Sequence, residues 1–399
     1  MNVVQCTAFQ LVKYHGFSEW HTHMTIKSDL HKKRRSRLWY LLPIFLHIIG
    51  GLIAYFVLIG SDHAIAKNSL WLGIILSAVT TTLALAVYLA YLNDMTAARE
   101  RISTAQVINT AYGPIQYADV GHGTPVLTIH GAGGGFDQGL FTARGALGDD
   151  MADNYRVIAP SRFGYLGTPM PSDGDASPAA AAGAHAALLD ALGIHDKVVV
   201  IGASAGALSS MQFAIKYPER VSALVLEIPD SWTPPITTDG SETEQLMAND
   251  FIMNTVLKSD FIMWTFTKVA KEQMVSFLGA TPELQKAMTP DEQKKVDELM
   301  MMIFPVSERQ AGIVNEGINH QKLERYPLEN IHAPTLVIDA KDVSTFSGSK
   351  YTAENIPNAK LVAFETGGHM LIGHGEDARA AIKDFLKQHQ IEASAIEAQ

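Results

Sequence analysis

A serine hydroxyl is a weak nucleophile until a base takes its proton and hydrogen-bond donors receive the charge that its attack creates. Three stretches of this sequence place residues of those types where strands are expected to end. The first is Gly202-Ala203-Ser204-Ala205-Gly206, which follows the apolar run Lys197 to Ile201 and precedes a helical stretch. In a Gly-x-Ser-x-Gly arrangement the serine sits on a sharp strand-to-helix turn, strained in its backbone, with the hydroxyl raised above the sheet. The N–H of Ala205 then lies at a helix N-terminus, where negative charge is stabilised. Ser204 is the expected nucleophile and Ala205 one expected oxyanion donor.

The second stretch, His130-Gly131-Ala132-Gly133-Gly134-Gly135, ends the run Pro125 to Ile129. Glycines there let backbone N–H groups approach a substrate oxygen without side-chain interference. A tetrahedral oxyanion needs two donors, and the second conventionally comes from this loop; Ala132 is the expected donor, with Gly133 next. A phosphate-binding loop is also glycine-rich, but no Lys-Ser or Lys-Thr pair follows here. The third stretch, Gly367-Gly368-His369, comes after the run Lys360 to Phe364 and supplies an imidazole suited to general-base work near neutrality. His374 is the alternative base.

The orienting carboxylate is less sharply marked. The loop after Thr335 to Ile338 holds Asp339 and Asp342, between nucleophile and base in chain order. Asp342, further past the strand end, is the expected acid, while Asp339 also reads as a strand-end residue satisfied by backbone. Glu227 and Asp230, after the preceding strand, are the minority alternatives.

These groups need a scaffold that brings several strand ends together. Gln106 to Val120, with its Tyr-Gly-Pro turn, predicts a two-stranded hairpin. Further strands are expected at 125–129, 156–159, 197–201, 223–227, 335–338 and 360–364, with helices at 178–192 and 207–217. Alternating strands and helices with nearly continuous apolar strands imply a doubly wound α/β fold, its sheet mostly parallel and covered on both faces. From 231 to 327 the alternation stops, and helical patches carry Met247, Phe251, Met253, Phe261, Met263, Trp264, Phe266, Met274 and Met300 to Met302. This segment is expected to be a helical cap inserted between core segments 103–230 and 328–390. Most of its Met and aromatic residues read as its own core, and a few as pocket lining.

The N-terminal quarter has a different character. Residues 1–37 form a polar, basic tail, and two uncharged stretches follow, Leu38 to Gly60 and Leu70 to Leu92. Each exceeds the roughly 20 apolar residues that cross a bilayer as a helix, so 38–92 is expected to be a transmembrane hairpin with a loop at 61–69. Basic residues crowd before the first span (Lys32, Lys33, Arg34, Arg35, Arg37), and Arg99 and Arg101 follow the second; Lys67 alone lies between. That bias places both ends, and with them the α/β part of the chain, on the cytoplasmic side of the cell membrane. A start at Met95 would instead leave a soluble cytoplasmic protein. Net charge is −10, without a basic stripe in the later part of the chain, which argues against a nucleic-acid partner. The single Cys6 excludes an internal disulfide framework and a thiol-based metal cluster. A tail at 391–399 ends the chain.

With these residues in place, the stretch from about Ser103 to Lys387 resembles the α/β-hydrolase superfamily, in its bacterial ester-hydrolase-like branch. Arg156-Val-Ile-Ala-Pro160, Arg162-Phe-Gly164 and Gly367-Gly-His-Met-Leu-Ile-Gly373 also match. The resemblance implies an eight-stranded sheet, a helical cap and hydrolysis without cofactor or metal. That branch usually has Gly-x-x-Asp in the acid loop, whereas Asp339-Ala-Lys-Asp342 puts a second acid in the glycine position. The expected reaction is cleavage of a carboxylic ester, small and hydrophobic, through an acyl-enzyme. Carbon–carbon hydrolysis and acyl transfer use the same residues, and a membrane-tethered binding protein is the non-enzymatic alternative. A dehalogenase would need Asp where Ser204 stands.

Overall fold

The computed structural model describes residues 35–233, 252–277 and 279–391. Cys6, Met247, Phe251, most of the basic tail and residues 392–399 lie outside them. The chain divides into two units, residues 1–90 and 91–399.

The first unit is built from helix α1 (Leu41–Leu58) and the greater part of α2 (His63–Ile102). Arg37–Leu58, which includes α1, and His63–Ile102 are long and apolar enough to cross a membrane, each holding an 18-residue stretch of mean hydropathy 2.3 and 2.1 respectively. The second helix starts seven residues before the expected span and runs ten past it. Asp62 accepts from the N–H of Ile65 at 3.2 Å, and no Gly or Pro interrupts 63–72, so nothing holds open the loop expected at 61–69. Helix α1 kinks at His47, where φ is 51°, and the N–H of Ile48 donates to Ser77 Oγ at 3.0 Å. A neighbouring hydroxyl thus satisfies a backbone group near the kink.

The second unit holds an eight-stranded sheet in the order β1-β2-β4-β3-β5-β6-β7-β8. Strands β1 (Gln106–Thr110) and β2 (Gly113–Gly121) form the expected hairpin, and β2 pairs antiparallel with β4 (Tyr155–Pro160). From β4 onward the order continues through β3 (Thr124–Ile129), β5 (Val198–Ala203), β6 (Val221–Glu227), β7 (Thr335–Ala340) and β8 (Ala359–Phe364), all parallel. Alternation along the strands divides their side chains between two cores. Leu127, Val198, Val200, Leu224, Leu226 and Val337 pack against helices α4 (Pro178–Ala191) and α5 (Gly206–Lys216). Val126, Val199, Ile201, Val225, Leu336 and Ile338 face α3 (Phe136–Leu147) and, at the far end of the chain, α12 (Gly375–Gln388). Apolar residues on both faces of each strand explain the unbroken runs in the sequence.

Between β6 and β7 the described residues form helices α6 (Asp260–Val269), α7 (Lys271–Phe277), α8 (Pro282–Ala287), α9 (Pro290–Met301) and α10 (Gln310–Gln321), without a strand. Helix α11 (Phe346–Asn355) joins β7 to β8. The end of α2 belongs to this second unit and packs on the cap. Met95 and Ala98 join a cluster with Met263, Trp264, Phe304 and Ile313. Asp94 accepts from Trp264 Nε1 at 2.8 Å and pairs with Lys268 at 2.9 Å.

One buried charge cluster fixes the cap to the sheet's helices. The Arg309 side chain is wholly buried and grips Asp137, in the first turn of α3, through two hydrogen bonds of 3.2 and 2.9 Å. Arg101 Nε donates to the same carboxylate at 2.9 Å, while its Nη2 donates to the carbonyls of Met301 and Phe304 at 3.0 Å each. Removing the shared carboxylate strands a buried guanidinium, which costs about 3–5 kcal/mol. Asp137→Ala should therefore lower the stability of the full chain by that amount in urea titrations followed by tryptophan fluorescence. Lys268→Ala, at a half-exposed pair, should change it by no more than about 1 kcal/mol. Equal effects would remove the anchoring role from Asp137.

Candidate active site

Ser204 lies between β5 and α5 with φ at 50°, in the left-handed region that a side chain rarely adopts. The flanking glycines make this turn possible. A Cβ on Gly206 would meet the carbonyl oxygens of Ile129 and His130 at 2.4 and 2.5 Å, and one on Gly202 would meet Ser210 Oγ at 2.2 Å. The end of β6 clamps the turn from the other side. The N–H of Ser204 donates to the Glu227 carbonyl at 3.0 Å, and the N–H of Asp230 donates to the Ser204 carbonyl at 3.1 Å.

His369 Nε2 is 2.9 Å from Ser204 Oγ. Its short helical turn, Gly368–Met370, starts from two glycines at φ 138° and 60°. The structure brings the expected nucleophile and the expected base together; His374 is stacked on Phe364 with ring centroids 4.4 Å apart. Burial holds the His369 imidazole below its ordinary pKa, and the charge of Asp230 opposes that shift. A lowered value keeps the ring neutral, and so able to accept a proton, down to mildly acidic pH.

The structure does not place Asp342 on the imidazole. Its two oxygens accept the N–H groups of Gly368 and Gly367 at 3.1 Å each, so it fixes the loop that carries His369. Among the described residues the His369 ring makes no hydrogen bond to Asp342, the expected orienting acid, or to Asp230, and the two N–H groups that Asp342 accepts leave its carboxylate further lone pairs. Asp339 is fully buried and satisfied by the N–H of Ala340 at 2.7 Å and by the Ser349 hydroxyl. Burial pushes its pKa up to about 6. Glu227 is pushed up to about 7 by burial. Asp230 is the carboxylate whose charge acts on His369.

On the oxyanion side, Gly131 lies so close to the nucleophile that a Cβ there would be 3.2 Å from Ser204 Cβ. The N–H of Gly133 is already donated to Tyr165 Oη at 3.3 Å, and that of Gly134 to the Gly131 carbonyl at 3.3 Å. The N–H groups of Ala132 and Ala205 have no acceptor among the described residues, so both are free to receive a substrate oxygen. His130 is buried in one tautomer. Its Nδ1 donates to the Gly131 carbonyl at 2.7 Å, while its Nε2 accepts from the N–H of Arg162 at 3.0 Å. Burial and the charge of Arg162 hold its pKa well below the ordinary value, which keeps the ring neutral.

The sequence reading missed Arg162, Tyr165 and Glu316, which surround this loop. The only local signal for Arg162 is its place in Arg162-Phe-Gly164, and Glu316 carries none. No group of three His, Cys, Asp or Glu close enough to hold a metal ion occurs among the described residues.

The charge of Asp230 on the imidazole makes it the acid to test against Asp342. Asp230→Asn should lower kcat for a nitrophenyl ester by up to about 10⁴-fold, the loss seen when an orienting carboxylate becomes an amide. It should also move the acidic limb of the pH profile further down, because the charge that raises the imidazole pKa is gone. Asp342→Asn should cost less turnover and leave that limb in place. The opposite ranking would return the orienting role to Asp342.

Comparison with known proteins agrees with this architecture. The family model described as alpha/beta hydrolase fold matches residues 124–375. The 2-hydroxymuconate semialdehyde hydrolase of Pseudomonas putida is 32% identical over 277 residues, which span 68% of this chain and 89% of that protein. Lipase 3 of a Moraxella species is 24% identical over 263 residues, covering 62% of this chain and 72% of the lipase. Among solved structures, an alpha/beta hydrolase fold protein from Nakamurella multipartita superposes with a TM-score of 0.57 at 28% identity, over 71% of this chain and 99% of that one. With the sheet order, the turn at Ser204 and these matches together, the chain belongs to the alpha/beta hydrolase fold family.

Proposed function

We propose that the protein is a serine hydrolase that cleaves carboxylic esters, and that Ser204, His369 and Asp230 are its catalytic residues. The observation that carries this reading is the 2.9 Å approach of Ser204 Oγ to His369 Nε2, beside two uncommitted N–H groups on Ala132 and Ala205. Ser204 Oγ attacks the ester carbonyl carbon as its proton passes to His369 Nε2. The carbonyl oxygen becomes an oxyanion held by the two N–H groups. Collapse of this intermediate breaks the bond to the alcohol oxygen, which takes the proton from His369 and departs, leaving Ser204 acylated. Water, deprotonated by His369, then repeats the sequence and releases the acid. Asp230 stabilises the imidazolium formed in each half. These steps need only the protein's own groups.

The substrate side of the site supports an apolar ester. Ile303, from the cap, lies over the oxyanion loop, 3.6 Å from where a Cβ on Gly133 would stand. Two helices of spanning length would keep the enzyme in the cell membrane. The excess of Lys and Arg at both flanks supports a cytoplasmic hydrolase unit. Hydrophobic esters dissolved in the bilayer are then the substrates at hand.

A second reading, hydrolysis of a carbon–carbon bond, is favoured by one observation. The relative from Pseudomonas putida is named for 2-hydroxymuconate semialdehyde, a compound that contains no ester. The test that separates the readings is a graded series of nitrophenyl esters, acetyl to long-chain, given to detergent-solubilised full-length protein. Turnover that rises with chain length and vanishes in Ser204→Ala, from a protein that sediments with cell membranes before detergent is added, supports the proposed reading. Activity on short esters alone would remove the hydrophobic assignment. Folded protein that spares all esters but cleaves a vinylogous diketone would establish the second reading.

A further inference from the structure

The oxyanion loop is held from the cap. Tyr165, buried in the loop after β4, accepts the N–H of Gly133 at 3.3 Å and donates its own proton to Glu316 Oε1 at 3.1 Å. The same Glu316 oxygen receives Arg162 Nη1 at 2.6 Å, and Arg162 Nη2 donates to the Gly131 carbonyl at 3.1 Å. Gly131 and Gly133 flank Ala132, whose N–H is the uncommitted donor. Both ends of this three-residue loop are therefore tied, through Arg162 and Tyr165, to one carboxylate on helix α10. Glu316 also sets the direction of the phenol. By taking the hydroxyl proton it leaves an oxygen lone pair for the Gly133 N–H.

The surrounding chain is shaped to permit this. A Cβ on Gly312, one turn before Glu316, would meet the Tyr165 ring at 2.2 Å, so only glycine lets the ring pass. Two backbone hydrogen bonds bracket the contact: Gly312 N–H to the Gly164 carbonyl at 2.9 Å and Leu166 N–H to the Glu308 carbonyl at 2.7 Å. The Arg162 guanidinium also lies 5.4 Å from the Tyr165 ring centroid, and the His130 ring meets that ring edge-on at 4.8 Å.

We propose that Glu316 is a positioning residue which, through Arg162 and Tyr165, holds Ala132 in the geometry that receives the oxyanion, so that seating of cap helix α10 and competence of the oxyanion hole are one event. This rests on the serine-hydrolase reading above and extends it from the residues that react to the one that sets their donor. Glu316 touches neither substrate nor nucleophile in this role. Its effect is expected in kcat, where the oxyanion forms, and not in KM.

The test uses the full-length protein in detergent, with nitrophenyl acetate as the probe, and compares Glu316→Gln, Glu316→Ala, Tyr165→Phe and the double variant Glu316→Ala with Tyr165→Phe. Glu316→Ala and Tyr165→Phe should each lower kcat about 10- to 100-fold, short of the 10²–10³ lost when an oxyanion donor is removed outright. KM should stay within about twofold. The double variant should be no worse than the poorer single, since the Tyr165 tie is one of the two that Glu316 holds, and Glu316→Gln, which keeps an acceptor oxygen, should recover part of the loss. Amide hydrogen exchange of residues 130–135 should accelerate in Glu316→Ala and Tyr165→Phe. Asp260→Asn, which loosens a cap contact to Ser307, should change neither reading. Unchanged kcat, multiplicative losses, an equal loss in Asp260→Asn, or exchange that accelerates throughout the hydrolase unit would each overturn the proposal. If the wild-type protein hydrolyses no ester, the serine-hydrolase reading fails by itself. The exchange of 130–135 still decides then whether Glu316 holds the loop, and unchanged exchange overturns it.

Discussion

The backbone at Ser204 is held where an L-residue is strained, at φ 50°, and the remainder of the hydrolase unit can be understood as what keeps it there. Such a conformation costs of order 1–3 kcal/mol and persists only when its surroundings determine it from several sides. Here the Glu227 carbonyl and the Asp230 N–H fix the turn from β6, and Gly206 lets helix α5 press against the carbonyls that end β3. The turn at Ser204 therefore depends on three adjacent parallel strands in register. The two cores on either side of the sheet are the source of the stability that this strain draws on.

Electrostatics then divides four nearby acids among different tasks. Asp342 neutralises the N–H groups that carry His369 into place, and Asp339 is satisfied within its own strand and helix connection. Glu227 takes up charge only near neutral pH because its surroundings are poor in water. Asp230, on the segment that leaves β6, offsets the penalty that burial imposes on an imidazolium. In the proposed mechanism burial keeps the base neutral before the reaction, and Asp230 supports it after it has accepted the proton.

How much of this was legible in the sequence follows from how local each determinant is. The turn at Ser204, the glycine loop after β3 and the Gly-Gly-His turn are encoded in five or six contiguous residues beside an apolar run, and the eight strands were found within a few residues of their ends. The choice among Asp339, Asp342, Glu227 and Asp230 was not legible in that way. Chain order says which loop an acid occupies, but not whether its oxygens face a ring or a backbone amide. Glu316 was invisible for a stronger reason: it meets Tyr165 from 151 residues away in sequence, because the cap folds back over the sheet. The second long helix was bounded too narrowly because hydropathy marks where apolar residues stop, whereas helices stop at breakers, and none stands between Asp62 and Ile102 apart from Gly73.

The central claim is that Ser204 is activated by His369 within a formed oxyanion hole. Reaction of folded full-length protein with a fluorophosphonate, followed by intact mass and peptide mapping, tests it most directly, because the reagent needs both the nucleophile and the hole but no knowledge of the substrate. The account predicts a single adduct on Ser204 that is absent from Ser204→Ala and strongly slowed in His369→Ala. An unlabelled folded protein, or an adduct on another residue, would contradict it.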